Sequence, residues 1–284
     1  MGITYIRRRK TRTFPGSQRK GKTVGGVVRR LANIFVPGSG VGKPSNSGTG
    51  VDFQDTEIAF KHMKTRSLWR VFGVFKLMAM PGLSSFGPKA LNAALNFRLP
   101  VTPLIRHTIF QQFCGGESLE GCLTKIEELG ALGAGGILDY ATEGLSTESA
   151  FDSGVEEVLK NIELARGNPH IPFCVFKPTG VAPFQLLYKV SQSEALTASE
   201  QEQWERVKKR CYRVAAAAFA GGVRIFVDAE ETWIQQATDD IVLELMKEYN
   251  RESPIIYNTV QMYRTDRLGY IDELFEASRG CGFF

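Results

Sequence analysis

The chain is poor in the side chains that carry most covalent and proton-transfer catalysis. Its 284 residues include three histidines, His62, His107 and His170. The first two fall in helical stretches and His170 at the start of a strand, so no Ser/His/Asp or Cys/His apparatus is expected. The five cysteines, Cys114, Cys122, Cys174, Cys211 and Cys281, form no C-x-x-C pair. Five reduced thiols in a cytosolic or matrix protein fit this pattern better than a disulfide framework or a zinc centre, and no metal site is expected. No apolar run approaches the roughly 18 residues that a spanning helix needs, so no transmembrane segment is expected either. Acidic residues are missing from 1–50, which holds eleven of the 35 Lys and Arg. Residues 51–284 therefore carry 24 basic and 30 acidic side chains, a net of −6. The overall charge of +5 belongs to the N-terminal stretch, and the remainder offers no nucleic-acid surface.

Residues 1–51 are rich in Arg, Lys, Gly, Ser and Thr, and read as a basic disordered extension. The acid-free composition fits a mitochondrial transit peptide or an upstream appendage with no structural role. Within it, Pro37-Gly-Ser-Gly-Val-Gly-Lys-Pro44 imitates a phosphate loop, but prolines stand at the first glycine and at the hydroxyl position. From 52 to 134 the pattern is helical: 55–80 broken by Pro81-Gly82, then 88–97, then 104–113 with Thr102 as N-cap, then 118–130 capped by Ser118.

Residues 135–284 change rhythm. Four short apolar stretches each end on a charged or amide side chain: Gly136-Ile-Leu-Asp139, Ile171-Pro-Phe-Cys-Val-Phe-Lys177, Val223-Arg-Ile-Phe-Val-Asp228 and Pro254-Ile-Ile-Tyr-Asn-Thr-Val-Gln261. A helix-like segment follows each. This is the pattern of parallel strands buried on both faces, and the expected fold class is α/β, with about four βα units of a (β/α)8 barrel. Polar residues at the C-terminal strand ends of such a barrel build its active site. Asp139, Lys177, Asp228 and Gln261 are thus expected at one mouth. Lys177 ends a buried strand, so it must enter a wet cavity or meet an anion, either a ligand or Asp228 in a neutralising pair. Glu230 either faces the mouth or caps the next helix, and Asn258 adds an amide suited to a heterocycle edge. In the helix expected over 232–250, Asp239, Asp240, Glu244 and Glu248 read as a solvated face.

These residues carry a resemblance. Gly136-Ile-Leu-Asp-Tyr-Ala-Thr-Glu143, Phe176-Lys-Pro-Thr-Gly180, Val227-Asp-Ala-Glu-Glu-Thr232 and Tyr257-Asn-Thr-Val-Gln-Met-Tyr263 resemble successive strand motifs of proline dehydrogenase, and Thr108-Ile-Phe-Gln-Gln-Phe-Cys-Gly-Gly-Glu117 its helical lead-in. The resemblance runs from about residue 52 to the end. It implies a distorted (β/α)8 barrel that binds FAD. It also implies oxidation of L-proline to 1-pyrroline-5-carboxylate, with hydride transfer to the flavin and electrons passed to a quinone. Carried over by motif, Lys177 pairs with the proline carboxylate and Asp228 organises the site beside the flavin. Gln261 hydrogen-bonds the flavin ring system. Glu143 is the strand-one carboxylate that pairs with an arginine of the family's last helix. The implied location is the mitochondrial matrix or inner membrane in a eukaryote, and the cytoplasm or the inner-membrane periphery in a bacterium.

The sequence stops at Gly280-Cys-Gly-Phe-Phe284, where the family continues into its fifth strand. It therefore reads as the N-terminal half of the barrel. A second reading is a non-catalytic half-barrel that self-associates. A third is another barrel enzyme that uses Lys177 as a Schiff-base nucleophile, which would require a depressed lysine pKa.

Overall fold

The computed structural model describes residues 2–7, 55–116, 118–140 and 145–284. These form two compact units, one of 55–113 and one of 2–7 with 114–284.

In the first unit, α1 (Thr56–Phe60) starts at Asp55, whose carboxylate accepts the Ile58 N–H at 3.0 Å. The single helix expected over 55–80 is two. Lys64 turns extended, and α2 (Thr65–Met78) begins after it. Pro81 opens α3 (Pro81–Asn96), seven residues before the expected start. A proline is well placed at a helix's first position because that N–H has no intrahelical partner. Thr102 is the first residue of α4 (Thr102–Ile105) and not its cap; Val101 stands at the N-cap without a side-chain bond. A π-turn (Arg106–Phe110) and α5 (Gln111–Phe113) complete the unit.

The second unit begins with α6 (Leu119–Gly130), capped as expected by the Ser118 hydroxyl, which accepts the Gly121 N–H at 3.2 Å. Gly133, at φ +78°, supplies the left-handed residue that turns the chain into β2 (Ala134–Asp139). Then follow α7 (Glu148–Ala165), β3 (Phe173–Phe176), α8 (Phe184–Ser191), α9 (Ala198–Gly221), β4 (Ile225–Val227), α10 (Gln235–Tyr249), β5 (Ile256–Asn258) and α11 (Arg267–Cys281). The extra helix after β3 is the insertion its long crossover implies. Strands β2 to β5 are parallel and adjacent in chain order, as in a (β/α)8 barrel.

One strand departs from expectation. Gly2–Arg7, inside the stretch read as disordered, is β1 and pairs antiparallel with β2, with Gly2 opposite Asp139 and Arg7 opposite Ala134. Its Ile3-Thr4-Tyr5-Ile6 run has strand-forming side chains, and the outer edge of β2 offers unsatisfied backbone groups. The rest of that extension, with its loop-like prolines, lies outside the described residues.

Alternate strand residues divide between two faces. Leu138, Cys174, Phe176, Ile225, Val227 and Ile256 enter the core against the helices, each no more than 4% exposed. Each large side chain removed from water in this layer contributes roughly 1.5–3 kcal/mol. On the other face, Phe173 stacks on Phe226 at 4.5 Å, and Tyr257 meets them edge-on at 5.3 and 5.4 Å. Behind the sheet, α7 approaches the turn after β3 very closely. A Cβ at Gly154 would lie 2.6 Å from the Gly180 carbonyl oxygen. The buried Arg210 of α9 fixes the same turn, donating to the Val181 carbonyl at 3.3 Å, to Asp152 at 2.8 Å and to Glu148 at 2.6 Å.

Candidate active site

The site stands on the polar residues that follow the aromatic layer on the inner face. Because Phe176 pairs with Val227 in register, the next residues of each strand lie side by side. The Asp228 N–H continues the ladder to the Phe176 carbonyl at 3.0 Å. Lys177 Nζ donates to Asp228 Oδ2 at 2.8 Å, with the side chains 22% and 36% exposed. Of the two partners that the sequence left open for Lys177, Asp228 is the one present, and the pair is partly exposed and not sealed in the core. Burial pulls the Lys177 pKa down, but the hydrogen bond to Asp228 and the charges of Asp228, Asp139 and Glu230 outweigh it and hold the ammonium above the ordinary lysine range. A nucleophilic Schiff-base lysine needs the opposite shift, so that reading loses its support.

Beyond this pair, Glu230 faces inward. Its two carboxylate oxygens accept the Thr179 N–H at 2.9 Å and the Thr179 hydroxyl at 2.7 Å. Burial raises its pKa, and the bonds from Thr179 and the charge of Lys177 offset this only in part. It does not cap the following helical turn, whose N-cap is Glu231, without a side-chain bond. Gln261, three residues past β5, donates its amide to the Glu230 carbonyl. Its Oε1 is buried and has no hydrogen-bond partner among the described residues. Asp139 closes β2 at the same end of the sheet and acts on Lys177 through its charge. Glu143 lies outside the described residues. Lys177, Asp228, Glu230 and Gln261 are thus brought together; Thr179, which the sequence did not single out, joins them.

Two residues go elsewhere. Asn258 points to the helix side of β5, where its amide donates to Asp239 and to the Tyr270 hydroxyl, both at 2.8 Å. It is not a mouth residue. Asp239, expected on a solvated face, is 2% exposed and pairs with Arg267 at 2.7 Å, while Gln235 donates to it at 2.8 Å. Helix α10 is covered on two sides, so Gln235, Thr238 and Val242 form a second buried stripe beside that of Ile234, Ala237, Ile241 and Leu245. A polar residue inside that second stripe was the available signal.

The family model described as proline dehydrogenase matches residues 122–284. Among curated proteins, the chain is similar to the carbapenem antibiotics biosynthesis protein CarD of Pectobacterium carotovorum subsp. carotovorum, 36% identical over 60% of this chain and 44% of that protein. It is also similar to the mitochondrial proline dehydrogenase 1 of Dictyostelium discoideum, 28% identical over 85% of this chain and 49% of that one. The corresponding protein of Arabidopsis thaliana is 25% identical over 79% of this chain and 54% of its own length. The chain thus spans about half the length of the curated relatives it matches. Among solved structures, proline utilization A from Bdellovibrio bacteriovorus, inactivated by N-propargylglycine, shares the fold. It superposes with a TM-score of 0.52 at 16% identity, over 79% of this chain and 22% of that one. Together with the four parallel strand-helix units that end in these motifs, the match over residues 122–284 assigns the chain to the proline dehydrogenase family of oxidoreductases.

Proposed function

We propose that this mouth serves the oxidation of L-proline to 1-pyrroline-5-carboxylate. The observation that carries the reading is the solvent-open Lys177–Asp228 pair on adjacent strand ends of a proline dehydrogenase family chain. Lys177 stays cationic throughout the physiological range because the surrounding carboxylates raise its pKa, so it can exchange part of its bond to Asp228 for one to the proline carboxylate. Asp228 then holds the ammonium in place and keeps negative charge beside the cationic ring nitrogen of the substrate. For Glu143 we keep the role the resemblance implies, the strand-one carboxylate that pairs with an arginine of the family's last helix.

The residues present also fit FAD. A buried amide oxygen without a donor, as at Gln261, suits a ring N–H, and no nucleophile is needed where a cofactor carries the chemistry. FAD held there by Gln261 and Asp228 would supply the hydride acceptor and the route for electrons to a quinone. Among the described residues no helix is long and apolar enough to cross a membrane. The location follows the family: mitochondrial matrix or inner membrane in a eukaryote, cytoplasm or inner-membrane periphery in a bacterium.

The test is direct. The purified chain should carry flavin absorbance, and proline should bleach it. A chain that neither retains nor takes up FAD, yet is folded, would sink the reading.

A further inference from the structure

The mouth is braced by side chains where the sheet itself has ended. Strands β3 and β4 stop at Phe176 and Val227, and their last backbone rung runs from Asp228 N–H to Phe176 carbonyl. Two side-chain rungs continue the ladder. The first is Lys177–Asp228 at 2.8 Å, and the second, two residues further along both segments, is Thr179–Glu230 at 2.9 and 2.7 Å. Glu230 also reaches the third strand end, because its carbonyl accepts the Gln261 amide. We propose that Glu230 is the positioning residue of this mouth: by taking both donors of Thr179 and the amide of Gln261, it locks three strand-end turns and so fixes the separation of Lys177, Asp228 and Gln261.

The geometry argues for position over charge. Both Glu230 oxygens are spent on Thr179, and the pair joins residues 51 apart in sequence. One rung alone leaves Lys177 a long flexible stem anchored at its tip. The second rung fixes the turn from which the stem departs, since Pro178–Gly180 is a single 3-10 turn. A carboxylate is not required for this. The amide of a glutamine could accept the Thr179 N–H and donate to its hydroxyl oxygen, keeping both bonds with the hydroxyl reversed. Charge and position are therefore separable by substitution.

The inference rests on the proline reading for its functional half, and its test has two arms. In the first, amide hydrogen exchange is followed in the chain as it stands. The Thr179 amide should be protected in the natural protein and in Glu230→Gln, and exchange at least tenfold faster in Glu230→Ala. An amide unprotected in the natural protein, or equally protected in Glu230→Ala, would overturn the latch whatever the substrate is. In the second arm, proline-dependent flavin reduction should fall tenfold or more in kcat/KM for Glu230→Ala, and stay within about threefold for Glu230→Gln. Thr179→Val combined with Glu230→Ala should be no worse than Glu230→Ala alone, because both remove the same rung. Glu230→Gln as damaged as Glu230→Ala would show that the charge itself acts, and would overturn the positioning role. A protected Thr179 in a protein that never oxidises proline would refute the functional reading and not the latch.

Discussion

Two ion pairs in the same compact unit differ in almost every respect except length. Lys177–Asp228, at the strand ends, is 2.8 Å long, with side chains 22% and 36% exposed. Asp239–Arg267, behind β5, is 2.7 Å long, with side chains 2% and 8% exposed. At Asp239 the carboxylate is saturated: Gln235 and Asn258 donate to one oxygen and Arg267 to the other. Arg267 also bonds Asp266 and lies over the Tyr270 ring. Burial, and then the charge of Asp239, push the Tyr270 hydroxyl well above the usual tyrosine range, so it stays neutral as the Asn258 acceptor. At Lys177, by contrast, ammonium and carboxylate each face water and can exchange partners. A sealed pair holds two helices and a strand together. An open one is available for a ligand.

The largest expected effect breaks the sealed pair. Asp239→Ala takes from the Arg267 guanidinium its buried partner, leaving it only the more exposed Asp266, and removes an acceptor from two amides; it should cost about 3–5 kcal/mol in urea unfolding. A cost below about 1 kcal/mol would mean that the two pairs are not different in kind. The next sharpens the open pair. Lys177→Ala should weaken proline binding roughly ten- to a hundredfold, from the loss of about 1.5–3 kcal/mol of charge-assisted hydrogen bonding, and should change stability by less than about 1 kcal/mol. Calorimetric titration with proline beside a denaturation curve reads both; unchanged affinity would remove Lys177 from the site. The smallest concerns pH. The folded pKa of Lys177 lies above its unfolded value, so its contribution is complete below about 10.4 and lost as pH rises through the folded value. Lys177→Met should therefore flatten the alkaline limb of the stability profile and leave the neutral region almost unmoved. An alkaline limb identical to that of the natural protein would argue against the raised pKa.

How much of this was legible follows from what each residue had to announce. Lys177, Asp228 and Gln261 were visible because each closes an apolar stretch of sequence with a polar side chain, the pattern of a strand end at a mouth. The βα order came from the same alternation. Asp239 was hidden because a carboxylate on a helix between two polar neighbours looks solvated by default, and only the second buried stripe betrays it. Asn258 was misassigned for a related reason. One residue decides which face of a strand a side chain meets, and β5 is too short for its pattern to fix that parity. Thr179 gave no signal, since its role lies in a contact with a residue 51 positions away. Gly2–Arg7 was lost in the composition of its surroundings, although Ile3-Thr4-Tyr5-Ile6 has strand-forming side chains.

The close approach of α7 to the turn after Lys177 has a consequence for how this family's sequences can drift. Gly154 faces a backbone oxygen and not a flexible side chain, so a single added methyl group could be accommodated only by moving the turn or the helix. A change made on the far side of the sheet would then be felt as a misplaced lysine at the mouth. In a laboratory selection for activity, position 154 should behave as if it lined the site, although nothing bound there could ever touch it.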